Sequence, residues 1–175
     1  EEIGRRAKAD DSRVDALVAD LRERIHKIRN AVRPPPSPQR VVCLEWARPL
    51  RAAGLWTSDC VEMAGAKHGL VPPGERSRPV SSKELIAFAP EKILFMPCGY
   101  DLKQSGDELK RMEKPDGWFN LPAVQANQIY VFDGRIPSRH GPRIVNVLEA
   151  VAQILNSKSS ITSHETIFEP AQLSA

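Results

Sequence analysis

Hydrophobic residues recur every three or four positions through the first part of the chain, which places them along one side of a helix. This apolar stripe consists of Val14, Leu17, Val18, Leu21, Ile25, Ile28 and Val32. Asp11 or Ser12 is expected to cap the helix, because a side-chain oxygen at that position accepts a free backbone N–H. The successive prolines of "RPPPSPQR" lack backbone donors and end it. The pattern predicts a long helix within residues 1–33 and an extended, proline-rich connector over residues 34–39.

After the connector, apolar β-branched stretches alternate with amphipathic ones. Strands are predicted at residues 40–44, 93–96 and 129–132, and helices at "TSDCVEMAGA", "VSSKELIAFAP", "GDELKRMEK" and "GPRIVNVLEAVAQIL". This alternation is typical of an α/β fold, a Rossmann-like lobe in which a parallel sheet is flanked by helices. The lobe is expected to occupy residues 40–156. Residues 157–175 show no sustained periodicity and are expected to form a flexible tail.

Composition narrows the class of protein further. The 175 residues are 41% hydrophobic and 27% charged, as in globular domains, and carry a net charge of +3. Basic residues alternate with acids, which argues against nucleic acid as a partner. No apolar run approaches the roughly 18 residues of a membrane span, and the charged opening "EEIGRRAKADD" does not have the pattern of a secretory signal. Three cysteines without a CxxC pair indicate neither a disulfide framework nor a zinc site.

The segments that follow the three predicted strands are the candidates for function. In parallel α/β sheets, ligands bind beyond the carboxyl ends of the strands. These segments are "EWARP", "PCGYD" and "GRIPSRHGPR", and they bring to one edge Trp46, Cys98, Gly99, Tyr100, Asp101, Arg139 and His140. Two alternatives stay open, since Trp46 and Trp56 also suit a core, and Gly99 and Gly134 also suit simple turns.

Cys98 has two chemical interpretations. As a nucleophile it would need a lowered pKa and a base such as His140, but the sequence indicates no orienting third residue and no obvious buried helix after "PCGYD". As a small residue lining a binding surface it needs neither. The four histidines, His26, His68, His140 and His164, show no metal-ligand spacing. Because GxGxxG and P-loop motifs are also absent, no cofactor is expected, and binding is favoured over catalysis.

Three stretches in order carry a family resemblance: "RVVCLEWARPLRAAGLW…VEMAGA", "SRPVSSKELIAFAPEKILFMPCGYDL" and "IYVFDG…GPRIVNVLEAVAQIL". Over roughly residues 11–156 the chain resembles the connecting helix and carboxyl-terminal lobe of cobalamin-binding and iron-chelate-binding periplasmic proteins, the partners of ABC importers. The resemblance implies two α/β lobes joined by a long helix, with a corrinoid or metal chelate held between them outside the cytoplasm. It also implies that a missing amino-terminal lobe or a second copy supplies the other wall.

The resemblance implies roles for particular residues. Those expected at the ligand are Trp46, Ser77, Arg78, Cys98, Gly99, Tyr100, Asp101 and Arg139. Glu84 resembles the surface glutamate that docks such lobes onto arginines of the membrane permease, although a carboxylate near a helix start also stabilises that helix without a partner. The expected function is a substrate-binding protein, or half of one. The alternatives are a single-lobe interaction protein that has lost ligand binding and a cysteine-dependent enzyme.

Overall fold

The computed structural model describes residues 2–6, 10–33, 36–156 and 165–171. The helices are α1 (Glu2–Arg6), α2 (Asp11–Ala31), α3 (Trp56–Met63), α4 (Ser82–Phe88), α5 (Leu102–Arg111), α6 (Pro122–Gln125) and α7 (Ile144–Leu155), with a 3₁₀ turn at Trp118–Asn120. The strands are β1 (Val41–Ala47), β2 (Leu50–Ala52), β3 (Arg78–Pro79), β4 (Lys92–Phe95), β5 (Ile129–Phe132) and β6 (Phe168–Pro170). Within this part of the chain, no helix has the length and apolar character needed to cross a membrane.

The strands form one sheet in the order β3-β2-β1-β4-β5-β6. The three predicted strands are its centre, where β1 pairs with β4 and β4 with β5, both in parallel. The predicted α/β fold is therefore confirmed. The sheet is mixed rather than purely parallel, because β2, β3 and β6 join it in antiparallel pairings. These outer strands were not predicted, since two or three residues are too few to show an alternating pattern.

The prediction of a flexible tail is wrong for residues 165–171, the part of the tail that the structure describes. Strand β6 pairs with β5, and Ile167 just before it is 1% exposed. Phe168 stacks on Phe132 with ring centroids 5.6 Å apart. Aromatic and β-branched residues in "TIFEP" suit a strand, but the polar residues around them obscured this short signal. Residues 157–164 and 172–175 lie outside the described part of the chain.

Hydrophobic residues fill both faces of the sheet. Along β1, Val41 and Cys43 face a core that contains α3 and α7, whereas Val42 and Leu44 face the core on the other side. This alternation follows from the two-residue period of a strand. Helices cover each face, so the central strands are buried on both sides, as parallel strands usually are.

The amino-terminal region forms two helices rather than the single helix predicted within residues 1–33. The cap of α2 is Asp10, whose side chain accepts the backbone N–H groups of Ser12 and Arg13, and not Asp11 or Ser12 as predicted. The carboxyl-terminal half of α2 is anchored to α7, where Arg24 Nε lies 2.8 Å from Glu149 Oε1. The amino-terminal half of α2 is more exposed to solvent than this half.

Candidate ligand-binding site

The three parallel strands end at one edge of the sheet, which we call the rim. Met96, directly after β4, donates its backbone N–H to the Leu44 carbonyl at 2.8 Å, and Cys98 donates its N–H to the Glu45 carbonyl at 3.1 Å. These bonds continue the pairing of β1 and β4 beyond the last paired residues. They place the segment after β4 beside the end of β1, as the sequence predicts.

Trp46 and Tyr100 meet at the rim. Their ring centroids are 6.0 Å apart, and the rings are edge to face at 61°. Trp46 is 36% exposed, and its Nε1–H donates to the Arg48 carbonyl at 3.0 Å, which fixes the indole orientation. The alternative of a core position for Trp46 is therefore excluded. An oriented aromatic pair at a partly exposed edge offers apolar surface to a large ligand.

The loops after β4 and β5 approach each other closely. A Cβ at Gly134 would lie 2.7 Å from the Pro97 carbonyl carbon, so only glycine allows this contact. Ser138 donates its hydroxyl to the Gly134 carbonyl, which holds the second loop in place. Between the loops lies a crevice of about 10 Å³, lined by Glu45, Ala53, Thr57, Met96, Cys98, Pro137 and Ser138. Ligand pockets commonly measure roughly 300–1,000 Å³, so this crevice is too small to enclose a ligand by itself.

Cys98 is a free cysteine at the surface of the rim. Burial of the sulfur raises the pKa of the Cys98 thiol, although its hydrogen bond with Ser138 acts in the opposite direction. The helix that follows "PCGYD", α5, begins at Leu102, and only Ser105 and Leu109 of it are buried. A raised pKa keeps the thiol protonated at neutral pH, which favours the interpretation of Cys98 as part of a binding surface.

Asp101 and Gly99 have local structural roles at the rim. Asp101 caps α5, because its carboxylate accepts the Gln104 N–H at 2.8 Å while the Gln104 side chain accepts the Asp101 N–H at 3.0 Å. Gly99 has a φ of 81°, which glycine adopts without strain, and the space beside it is open. Both residues shape the segment that presents Tyr100, and direct contact of either with a ligand stays a prediction.

The sequence analysis missed Arg51. This residue of β2 lies next to the rim, with its Nε 3.7 Å from Glu45 Oε1. Its Nη2 donates to the Ser77 carbonyl at 2.9 Å and approaches the Ser77 hydroxyl at 3.3 Å. Nothing in "RPLRAAG" distinguishes this arginine from Arg48, because its position depends on the short hairpin from β1 into β2. Ser77 is thus connected to the rim through Arg51.

Arg78 is engaged away from the aromatic pair. Its Nη1 lies 2.8 Å from Glu84 Oε1, and its Nε donates to the Leu70 carbonyl at 3.2 Å. Glu84 also belongs to the capping box of α4, where Ser81 is the cap as predicted. Hydrogen bonds from the Ser81 backbone and hydroxyl, followed by that from Arg78, lower the pKa of Glu84 to about 2. If Arg78 contacts a ligand, as the sequence predicts, that contact competes with the Arg78–Glu84 ion pair.

The loop after β5 carries His140 and Arg139 to the side of the rim. The His140 ring lies 3.8 Å, centroid to centroid, from the Trp56 ring, and Trp56 Nε1–H donates to the Pro137 carbonyl at 2.7 Å. Arg139 is exposed, and a role for it at the ligand stays a prediction. Over the described residues, no three metal-binding side chains are grouped in a way that would hold an ion.

Comparison with solved structures identifies the fold. The chain is similar to a periplasmic heme-binding protein from Pseudomonas aeruginosa, with a TM-score of 0.79 and 17% identity, over 99% of this chain and 63% of that one. It is also similar to a periplasmic vitamin B12 binding protein of Vibrio cholerae, with a TM-score of 0.61 and 18% identity, over 79% of this chain and 52% of that one. A Fe³⁺-hydroxamate transport protein from Saccharomonospora viridis gives a TM-score of 0.65 and 20% identity, over 87% and 53% of the two chains.

These likenesses define the class of fold, which is that of periplasmic binding proteins. The chain spans only about half to two thirds of each of these structures, as expected for one lobe with additional helices. No protein-family profile matches the chain, and no curated protein sequence matches it. Identities of 17–20% establish a shared fold, whereas a ligand has to be argued from the site.

Proposed function

We propose that this chain is one lobe of a substrate-binding protein for cobalamin or a related corrinoid or iron chelate, and that it delivers this ligand to an ABC importer outside the cytoplasm. The observation that carries the proposal is the edge-to-face pair of Trp46 and Tyr100 at the rim. Arg51 and Glu45 supply polar groups next to it. Aromatic faces beside hydrogen-bonding groups suit a large, flat, partly polar ligand.

Titration of the chain with cyanocobalamin and with hemin, followed by absorbance, tests this proposal. Trp46→Ala should weaken binding by about 1–3 kcal/mol, the usual free energy for removing a large apolar contact. The matched control is Phe119→Ala, because Phe119 is 68% exposed and lies towards the opposite end of the sheet, in the segment that bonds to Pro90 just before β4. Equal effects of the two substitutions, or no binding of either compound, would contradict the proposal.

Cys98→Ser separates the binding protein from the enzyme. Binding needs no thiolate, so this substitution should leave the affinity for cyanocobalamin or hemin within about threefold of the original, because it changes only one atom of the contact surface. Thiol-reactivity and esterase assays provide the comparison. A hydrolytic activity that Cys98→Ser abolishes would favour the cysteine-dependent enzyme instead.

A second α/β lobe is the partner that the structure favours. An apolar groove of about 920 Å³ runs along the amino-terminal half of α2 and the start of α7. Its lining includes Leu17, which is 45% exposed, whereas Ile28 further along the same stripe is 2% exposed. Solved neighbours contain roughly a further third to a half of their chain beyond the part that matches. We infer that a lobe of this kind covers the groove.

The position of the groove relates this partner to the ligand. Gly141 and Pro142 line the groove, and they follow directly on the loop whose Pro137 and Ser138 line the crevice at the rim. A lobe seated in the groove would therefore stand beside the rim and supply the second wall that a large ligand needs.

Sedimentation of the chain alone, together with binding of a fluorescent apolar dye, tests the inferred partner. An uncovered groove should bind the dye in a monomeric chain, and Leu17→Glu should abolish that binding because it places a charge in the apolar surface. The exposed Phe119, changed to Glu, is the control. A dimer that Leu17→Glu dissociates would show that a second copy covers the groove instead.

A further inference from the structure

A series of polar contacts connects the rim with Glu84. It begins at Glu45, whose carboxylate lies 3.7 Å from Arg51 Nε, and continues from Arg51 Nη2 to the Ser77 carbonyl at 2.9 Å. Ser77 directly precedes Arg78, and Arg78 Nη1 lies 2.8 Å from Glu84 Oε1. Two arginines and the short strand β3 therefore join the edge of the ligand surface to the start of α4.

Both oxygens of the Glu84 carboxylate are occupied within the chain. Oε1 receives Arg78, and Oε2 accepts the Ser81 backbone N–H and the Ser81 hydroxyl, each at 2.9 Å. The side chain is nevertheless 42% exposed. A cationic partner that approaches Glu84 thus meets a carboxylate whose orientation is set by Arg78 on one side and by the helix start on the other.

Strand β3 is short, and Arg51 anchors the chain directly before it. The strand has two residues, Arg78 and Pro79, and it lies at the outer end of the sheet, where it pairs only with β2. The bond from Arg51 to the Ser77 carbonyl fixes the chain immediately before this strand. Backbone hydrogen bonds from Val80 to the Leu50 carbonyl at 2.9 Å and from Leu55 to the Glu75 carbonyl at 2.6 Å hold the flanking chain, so the loss of the Arg51 anchor should loosen the segment before β3 without detaching it.

We propose that Arg78 is a positioning residue for Glu84, and that Arg51 at the rim controls this positioning through Ser77. A ligand that engages Arg51 with an acceptor group competes with Ser77 for the guanidinium. The segment before β3 then loosens, Arg78 releases Glu84 Oε1, and the carboxylate becomes available to a cationic surface of the importer. This inference rests on the proposed function, and it adds a route by which the bound state reaches the docking surface.

The central test needs no ligand. Carbon-detected NMR titration of the Glu84 carboxyl, together with hydrogen exchange of the Ser81 amide, reports how firmly Glu84 is held. Arg78→Gln should raise the pKa of Glu84 from about 2 towards its ordinary value and speed exchange at Ser81, because the Glu84 carboxylate loses the hydrogen bond from Arg78 that stabilises its charged form. Arg51→Gln should change both quantities in the same direction by a smaller amount.

Two further variants separate positioning from simple loss of charge. Arg51→Lys keeps a cation beside Glu45 but loses the planar fork that reaches Ser77, so it should reproduce the effect of Arg51→Gln. Arg48→Gln removes an exposed arginine of the same hairpin, which pairs with Glu108 at 3.6 Å, and should leave Glu84 unchanged. If both Arg51 variants matched Arg48→Gln at Glu84, the coupling would be overturned.

The effect of a bound ligand on Glu84 is measured in a separate experiment. Saturation with cyanocobalamin or hemin should speed exchange of the Ser81 amide in the unaltered chain and have no such effect in Arg51→Lys. If neither compound binds, the proposed function fails, while the titrations without ligand still decide the coupling. Binding that leaves Ser81 exchange unchanged would refute the ligand-driven release of Glu84.

Discussion

The close approach of Gly134 to Pro97 is the most stringent test of the rim geometry. Gly134→Ala would place a methyl carbon 2.7 Å from the Pro97 carbonyl carbon and 3.2 Å from that of Met96, whereas ordinary contacts begin at 3.4 Å. The Pro97 carbonyl oxygen lies closer still, so the loops after β4 and β5 would have to separate by more than the roughly 0.7 Å that the carbon contact alone requires. Both partners are backbone, so neither can rotate away. Such overpacking costs about 1–3 kcal/mol, and we expect a value near 3.

Urea denaturation and thermal unfolding measure this effect. For a domain of this size, 1 kcal/mol corresponds to a change of roughly 2–4 °C in the melting temperature, so Gly134→Ala should melt about 6–12 °C lower. Gly141→Ala is the matched control, because a Cβ there meets open space in the same loop. Tryptophan fluorescence should also change only in Gly134→Ala, because Trp46 contacts Tyr100 at the rim. Equal stability of the two variants would refute the argument that the rim loops are in close contact.

Two further predictions concern buried polar groups. Arg24→Met should destabilise the fold by about 3 kcal/mol, because the buried Glu149 carboxylate loses the guanidinium that donates to both of its oxygens. The double variant Arg24→Met with Glu149→Leu should recover much of this loss. Urea titrations of both variants measure the effect, and an unchanged stability of Arg24→Met would contradict the prediction. His68 is 2% exposed, and burial lowers its pKa below 6.5, so the unfolded chain binds the proton more readily and His68 reduces stability as the pH falls below about 6.5. The stability advantage of the original chain over His68→Gln should therefore be smaller at about pH 5 than at pH 7 in calorimetry. An advantage independent of pH would show that His68 has the same pKa in the folded and unfolded states, which would contradict the prediction.

Much of the central sheet was predictable because it depends on local sequence. The strands at residues 40–44, 93–96 and 129–132 are apolar runs bounded by turn signals, and they form β1, β4 and β5. Because parallel strands end at a common edge, their order also predicts that Trp46 and Tyr100 meet, and their rings are in contact. The long helix was predictable for the same reason, except at its start, where Asp10 is the cap.

The roles of the arginines were not predictable from sequence. Arg78 and Arg139 are expected at the ligand, and this stays a prediction, but the sequence did not indicate that Arg78 pairs with Glu84 or that Arg51 lies beside Glu45. All three occur in similar polar stretches with proline or glycine nearby. The contacts of Arg51 and Arg78 depend on β2 and β3 turning back along β1, and strands of two or three residues leave no periodic pattern.

The sequence by itself therefore determined the α/β fold, the three central strands and the aromatic surface at their ends. These features follow from hydrophobic runs and from the rule that parallel strands share an edge. Only the tertiary structure decided the antiparallel strands at the edges of the sheet, the contact of Gly134 with Pro97 and the connection from Arg51 to Glu84. It also decided that the amino-terminal half of α2 stays partly exposed. Each of these depends on which distant segments become neighbours when the helices pack against the sheet, and no local pattern records that choice.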